Sequence, residues 1–196
     1  IENYTFEQCT SLTSVVMPTK LLSIGDYAFQ GCTALPAIAL PESVNSIGTN
    51  AFSACHALNS VVIPNNVAKI NNRAFYGCFA LTNVTLPESL TEIGQYAFSC
   101  CTSLPSIIIP QNVVFIDAAA FDDCSALAEV TCKSTTPPNL MDTWTFDGIA
   151  SPATLYVPSG CVPAYKASTW ANYFSIIKAE GETDSGEGSF DDMPNI

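Results

Sequence analysis

Residues 24–41 read IGDYAFQGCTALPAIALP, and residues 93–110 read IGQYAFSCCTSLPSIIIP. Both place an isoleucine, a phenylalanine, a cysteine, a leucine and a closing proline at the same internal positions. Working outward, phenylalanine recurs at Phe6, Phe29, Phe52, Phe75, Phe98 and Phe121, and every gap is 23 residues. The same step carries Cys9, Cys32, Cys55, Cys78, Cys101 and Cys124, then Leu12, Leu35, Leu58, Leu81, Leu104 and Leu127. Prolines follow at 18, 41, 64, 87 and 110, and isoleucines lead at 1, 24, 47, 70, 93 and 116. A unit this short cannot bury its own apolar face, so successive units must stack into a solenoid with one continuous interior.

Within a unit, Leu58-Asn-Ser-Val-Val-Ile63 has the pattern L-x-x-V-x-L, and its β-branched residues suit a strand that pairs with the next coil. Residues 12–17, 35–40, 58–63, 81–86, 104–109 and 127–132 are therefore predicted to form one parallel sheet. A second short extended piece, such as 44–47, crosses the opposite side, and 27–31 is predicted to be a tight helical turn. Proline at the strand end fits, because it has no N–H to offer a ladder.

The period loosens after Lys133. Trp144-Thr-Phe146-Asp-Gly148 matches Tyr27-Ala-Phe29-Gln-Gly31, and Phe146 precedes Leu155 and Pro158 by the distances that separate Phe29 from Ile38 and Pro41. Residues 134–158 thus read as a seventh, degenerate coil, with two extra residues taken up around Thr135–Pro138. Residues 163–174 suit a short helix with proline in its first turn, and 175–178 a last strand. Together they form a cap whose Tyr165, Trp170, Tyr173 and Phe174 cover the end of the stack.

Residues 179–196 carry six acids and no base and read as a disordered tail or a linker. The expected organisation is repeats over 1–133, with the first unit truncated, then the degenerate repeat and cap over 134–178, then the tail. Ile1 enters the pattern halfway round a coil, so further repeats are expected upstream. The opening IENYTFEQC lacks a basic region followed by an apolar one, and a signal peptide is expected upstream as well.

Composition excludes several classes. With 48% hydrophobic and 12% charged residues the 196-residue chain is far from a disordered protein. Six basic residues against a net charge of −12 leave no patch for a phosphate backbone, so nucleic acid is not an expected partner. No run of eighteen apolar residues is present to span a membrane.

The units resemble the BspA-like leucine-rich repeat, roughly I-G-x-x-A-F-x-x-C-x-x-L-x-x-V-x-L-P, over residues 1–132. The segments TTPP, LYVPSGCVPAYKAS and TWANYF resemble the C-terminal end of many such proteins of gut and oral bacteria. The resemblance implies an α/β, β-rich, right-handed leucine-rich-repeat solenoid of about seven 23-residue coils, ending in a strand–helix–strand cap. It also implies a secreted or cell-surface protein that adheres to host matrix proteins or to other cells, with no catalytic motif to carry over. Asn71 and Asp117 depart from the family glycine, and Lys133 from the sixth proline.

The residues that invite chemistry are few. Stacked cysteines point the same way at about the 4.8 Å strand spacing, whereas a disulfide needs Cβ atoms turned toward each other. Reduced, buried thiols that act as small fillers and weak donors are expected, with a Cys132–Cys161 bridge as the alternative to two core thiols. Cys100 is the candidate reactive thiol. Zinc would need paired C-x-x-C or added histidines, and neither is present; Asp122 and Asp123 fall short of a calcium cage. His56, the single histidine, stands in a variable turn column without a nucleophile partner. Glu42 and Glu88 share a column two coils apart, near the spacing of an inverting glycosidase pair, but read as a solvated face. No cofactor or metal site and no catalytic residue is expected.

The exposed sheet face is the candidate binding surface. Its fifth strand positions are Val16, Ala39, Val62, Thr85, Ile108 and Thr131, and its third positions are Ser14, Ala37, Ser60, Asn83, Ser106 and Glu129. An apolar stripe open to water suggests a contact surface for a protein or glycan; the alternative is that β-branched residues merely suit strand packing. Tyr27, Phe79, Tyr96 and Phe115 are a second, scattered candidate. The expected role is a non-catalytic binding module, and the alternative is a spacer that presents another domain of a longer surface protein.

Overall fold

The computed structural model describes residues 1–182, so most of the expected acidic tail lies outside the described residues. Each coil has three sides: a longer strand, a two-residue strand, and a run of turns. The chain passes through these sides seven times, and the seven phenylalanines from Phe6 to Phe146 stack face to face. Ring centroids lie 5.0 to 5.5 Å apart and ring planes within 18° of parallel. Around that column Ile, Ala, Cys and Leu from the same positions are enclosed from the second coil to the sixth. In the first coil Phe6 and Leu12 are only partly buried and Cys9 is exposed.

The short strands form two parallel sheets, Ser23–Ile24 with Ser46–Ile47, and Lys69–Ile70, Glu92–Ile93, Phe115–Ile116 and Asn139–Leu140 together; each buries its isoleucine or leucine, and the neighbour is exposed or, at Glu92 and Phe115, half-buried. The longer strands differ from the expected single sheet. Residues 12–17 are not a strand, and 35–40 contribute one bridge, Ala37 to Ser60. Ser60–Val62 pairs with Asn83–Thr85, and a separate sheet joins Ser106–Ile109, Glu129–Cys132, Thr154–Val157 and Ile176–Ala179.

Both interruptions have one cause. Where the ladder is intact, Asn59 N–H donates to the Pro36 carbonyl, Thr82 N–H to Asn59, and Ala128 N–H to Pro105. At the two breaks the residue that would donate back to the preceding coil is itself a proline, Pro36 or Pro105, and has no N–H.

The run predicted as a helical turn is instead a chain of tight turns. Tyr27 (φ 58°) and Gly31 (φ 71°) are left-handed, and the equivalents Asn50, Ala54, Arg73, Gly77, Tyr96 and Cys100 repeat this. The reversal turns alternate N–H groups outward: Tyr27, Phe29 and Gly31 donate to Thr49, Ala51 and Ser53 of the next coil, while Gln30 and Cys32 close turns within their own. The carbonyls of Phe6, Phe29, Phe52, Phe75 and Phe98 each also accept a bond from a thiol, as Phe29 does from Cys55 at 3.2 Å.

The seventh coil forms as expected, with Leu155 paired to Val130. Its extra residues are placed differently. Leu140 pairs with Ile116, an offset of 24, whereas Phe146 stacks on Phe121, an offset of 25. One residue is therefore accommodated before Asn139 and the other between Met141 and Thr145.

The predicted cap helix is two pieces, an α-helix Val162–Lys166 with Pro163 in its first turn and a 3-10 helix Thr169–Asn172 capped by Ser168. Trp170, Tyr173 and Phe174 meet Phe146 tilted or edge-on and so end the face-to-face column. Trp170 Nε1–H donates to the Pro138 carbonyl, and Tyr165 O–H to Ser134, each at 2.9 Å. The last strand reaches Ala179, and Glu180 N–H donates to Val157, so order extends past the expected start of the tail at 179.

Candidate functional site

Strand alternation sends Val61, Val84, Ile107 and Val130 inward and leaves their neighbours on the outer face. Of the candidate residues, Ser14, Val16, Ala39, Ser60, Val62, Asn83, Thr85, Ser106, Ile108 and Glu129 are exposed, and Thr131 is half-buried. Val62 and Ile108 keep 59% and 57% of their surface in water, which is high for β-branched residues within strands. Register places Val62 beside Thr85, and Ile108 beside Thr131, which in turn lies beside Tyr156. The face is thus two patches flanking the Pro105 break, and Tyr156 extends the second. Tyr156 was missed because the seventh coil is out of period.

The cysteines behave as core. All nine are free thiols, and the five from Cys32 to Cys124 in the column donate to a phenylalanine carbonyl of the preceding coil. Burial pushes Cys32 up to about 11 and Cys78 up to about 12, so neither is a thiolate at neutral pH. Cys132 is buried and accepts a bond from Tyr165 O–H rather than bridging Cys161, which is half-buried instead of core. The fully accessible thiol is Cys9, not Cys100; the latter is half-buried and 3.6 Å from Ser99 Oγ.

The remaining sequence candidates do not converge. His56 is exposed and stacks on Phe79 at 4.7 Å. Glu42 meets the Asn65 N–H, while Glu88 lines a separate small depression with Lys133 and Glu180. Asp122 is held above the usual carboxylate range, first by partial burial and then by Asp123, Asp147 and Asp142. Among the described residues no group of acids, histidines or cysteines is arranged to hold a metal. Tyr27 stacks on Tyr4, and Phe115 is half-buried in its short strand beside Glu92 and Asn139.

A site that sequence reasoning missed lies on the turn side. Gln30, Asn50, Ser53, Arg73, Tyr76 and Tyr96 line an open depression of about 430 Å³, and the Arg73 guanidinium carbon sits 4.9 Å from the Tyr96 ring centre. Arg73 occupies the column of Tyr27 and Tyr96, and its one signal in the sequence is that it is the only arginine.

The model of the BspA type leucine rich repeat region matches six copies, over residues 1–128 and 45–162. The chain belongs to this family. Among solved structures it is similar to the leucine-rich repeat protein of T. pallidum, at 28% identity with a TM-score of 0.65 over 88% of this chain and 72% of that one. The pneumococcal vaccine antigen PcpA is 24% identical, with a TM-score of 0.63 over 84% of this chain and 40% of that one. A leucine-rich repeat protein of Bacteroides ovatus gives 20% and 0.51, and the chain spans 62% of its length. A comparison with curated proteins finds no significant match.

Within this BspA-type array, among the described residues, no helix is long and apolar enough to cross a membrane.

Proposed function

We propose that this chain is a non-catalytic binding module of a secreted or cell-surface bacterial protein, and that it holds a protein or glycan partner with the outer face of its longer strands. The observation that carries the reading is the pair of flat patches in which Val62 and Ile108 stand exposed among small neutral residues, with Glu129 the one acid among the candidate positions. Apolar surface of this kind is costly to leave in water and is common at contact sites. The likeness to PcpA, a vaccine antigen, supports a surface location.

The test is binding of the purified chain to immobilised matrix proteins and to epithelial cells. Val62→Asp and Ile108→Asp are expected to weaken binding about tenfold or more, the cost of desolvating a charge at the centre of a contact. Their far-UV spectra and melting temperatures should stay near those of the parent, because both side chains are outside the core. Unchanged binding by both variants would remove the sheet face as the site.

A further inference from the structure

The turn-side depression has a floor that the fold itself does not use. Asn50 and Ser53 are 7% and 3% exposed, yet neither side chain has a hydrogen-bond partner among the described residues. No fully enclosed side-chain oxygen or nitrogen lacks a partner among them, so these two polar groups open into the depression. Both groups therefore keep their hydrogen-bonding capacity free for a ligand with matching groups.

We propose that this depression binds a sugar residue carrying a single carboxylate, such as a uronic acid at the end of a glycan. Three observations select that chemistry. First, the lining consists of polar and amphipathic side chains: the Asn50 and Gln30 amides and the Ser53 hydroxyl each donate and accept, which suits hydroxyls on neighbouring ring carbons. Second, Arg73 forms no salt bridge among the described residues, and stacking on Tyr96 holds its planar fork in place. A fixed guanidinium fork matches a carboxylate in a two-point contact. Third, the depression crosses four coils, about 15 Å at the strand spacing, which accommodates one or two sugar rings. The volume lies within the range of small-molecule sites, about 300–1,000 Å³. The net charge of −12 disfavours a polyanion at a distance but not one acid group in contact with Arg73, because charges beyond about 8 Å are screened at physiological salt.

The test compares methyl glucuronide with methyl glucoside, which lacks the carboxylate, by saturation-transfer NMR and titration calorimetry. The parent protein is expected to bind the glucuronide about tenfold more tightly than the glucoside, the worth of one charge-assisted contact. Arg73→Gln should reduce the glucuronide to the affinity of the glucoside. Asn50→Gly, which retains the left-handed backbone, should weaken both sugars. Lys166→Gln, which removes a cation from the cap helix instead, should change neither. Equal binding of the two sugars, an unaffected Arg73→Gln variant with a parental melting temperature, or acetate binding as tightly as the glucuronide would each overturn the proposal. So would no glucuronide binding at about 50 mM, far beyond the weak end of specific affinities.

Discussion

Asp26 Oδ1 accepts the Thr49 N–H at 2.7 Å, Asn72 Oδ1 accepts the Gln95 N–H at 3.1 Å, and Asn3 Oδ1 accepts the Asp26 N–H at 2.8 Å. Each bond draws two coils together one residue past a glycine. A Cβ at Gly25, Gly48 or Gly94 would lie 2.5 or 2.6 Å from that same oxygen. Where the preceding coil has Thr49 or Gln95 instead, the glycine is replaced by Asn71 or Asp117. The two departures from the family pattern are therefore one coupling: glycine follows Asn or Asp in the coil before. Gly94→Ala is expected to cost about 1–3 kcal/mol by overpacking, and Asn72→Thr, which copies Thr49, should make the pair cost less than the sum. Thermal denaturation of the two single variants and the double variant measures this; strict additivity would show that the glycine answers to something else.

At the scale of the element, the breaks in the longer-strand ladder follow from single prolines. Pro105→Asn supplies an N–H facing the Thr82 carbonyl. An added hydrogen bond is worth about 1 kcal/mol, and loss of proline's restriction of the unfolded chain takes back about 0.4–1 kcal/mol. Little change in stability is expected, but the amide of residue 105 should exchange slowly with solvent; fast exchange there would assign the break to something other than the missing donor. On the turn side, Asp122 sits among Asp123, Asp142 and Asp147, and its folded pKa is raised. The folded state then holds a proton more tightly than the unfolded chain, so this group's contribution to stability falls as pH rises through the carboxylate range. Asp122→Asn is expected to raise the melting temperature at pH 7 and to lose that advantage near pH 4. An advantage that is the same at both pH values would contradict the electrostatic origin.

For the whole molecule, the period made the architecture legible, because each column of like residues states its own environment: Phe75 or Leu81 at one position predicts the interior at all the others. What escaped were features without a repeat. Pro36 and Pro105 are visible in the sequence but occur in two coils of six, so they read as tolerated variants rather than as ladder breaks. The single inserted residues on either side of Leu140 leave no local signature, and Ser168 splits the cap helix through a side-chain cap that periodicity does not report. The turn-side depression was invisible for a related reason: Asn50 and Ser53 lie in one coil and Arg73 in the next, their columns vary in residue type, and their convergence with Gln30 and Tyr96 is a product of stacking. Every one of these statements depends on coils lying one above the next at a constant step. Spin labels at Val16 paired in turn with Val62, Thr85, Ile108 and Thr131, in a background with Cys9→Ser, Cys100→Ser and Cys161→Ser, measure that step by pulsed electron resonance. The separation is predicted to grow by about 5 Å for each coil added, reaching about 25 Å at Thr131, as strand spacing requires. Separations that fail to increase with coil number would contradict the stacked solenoid.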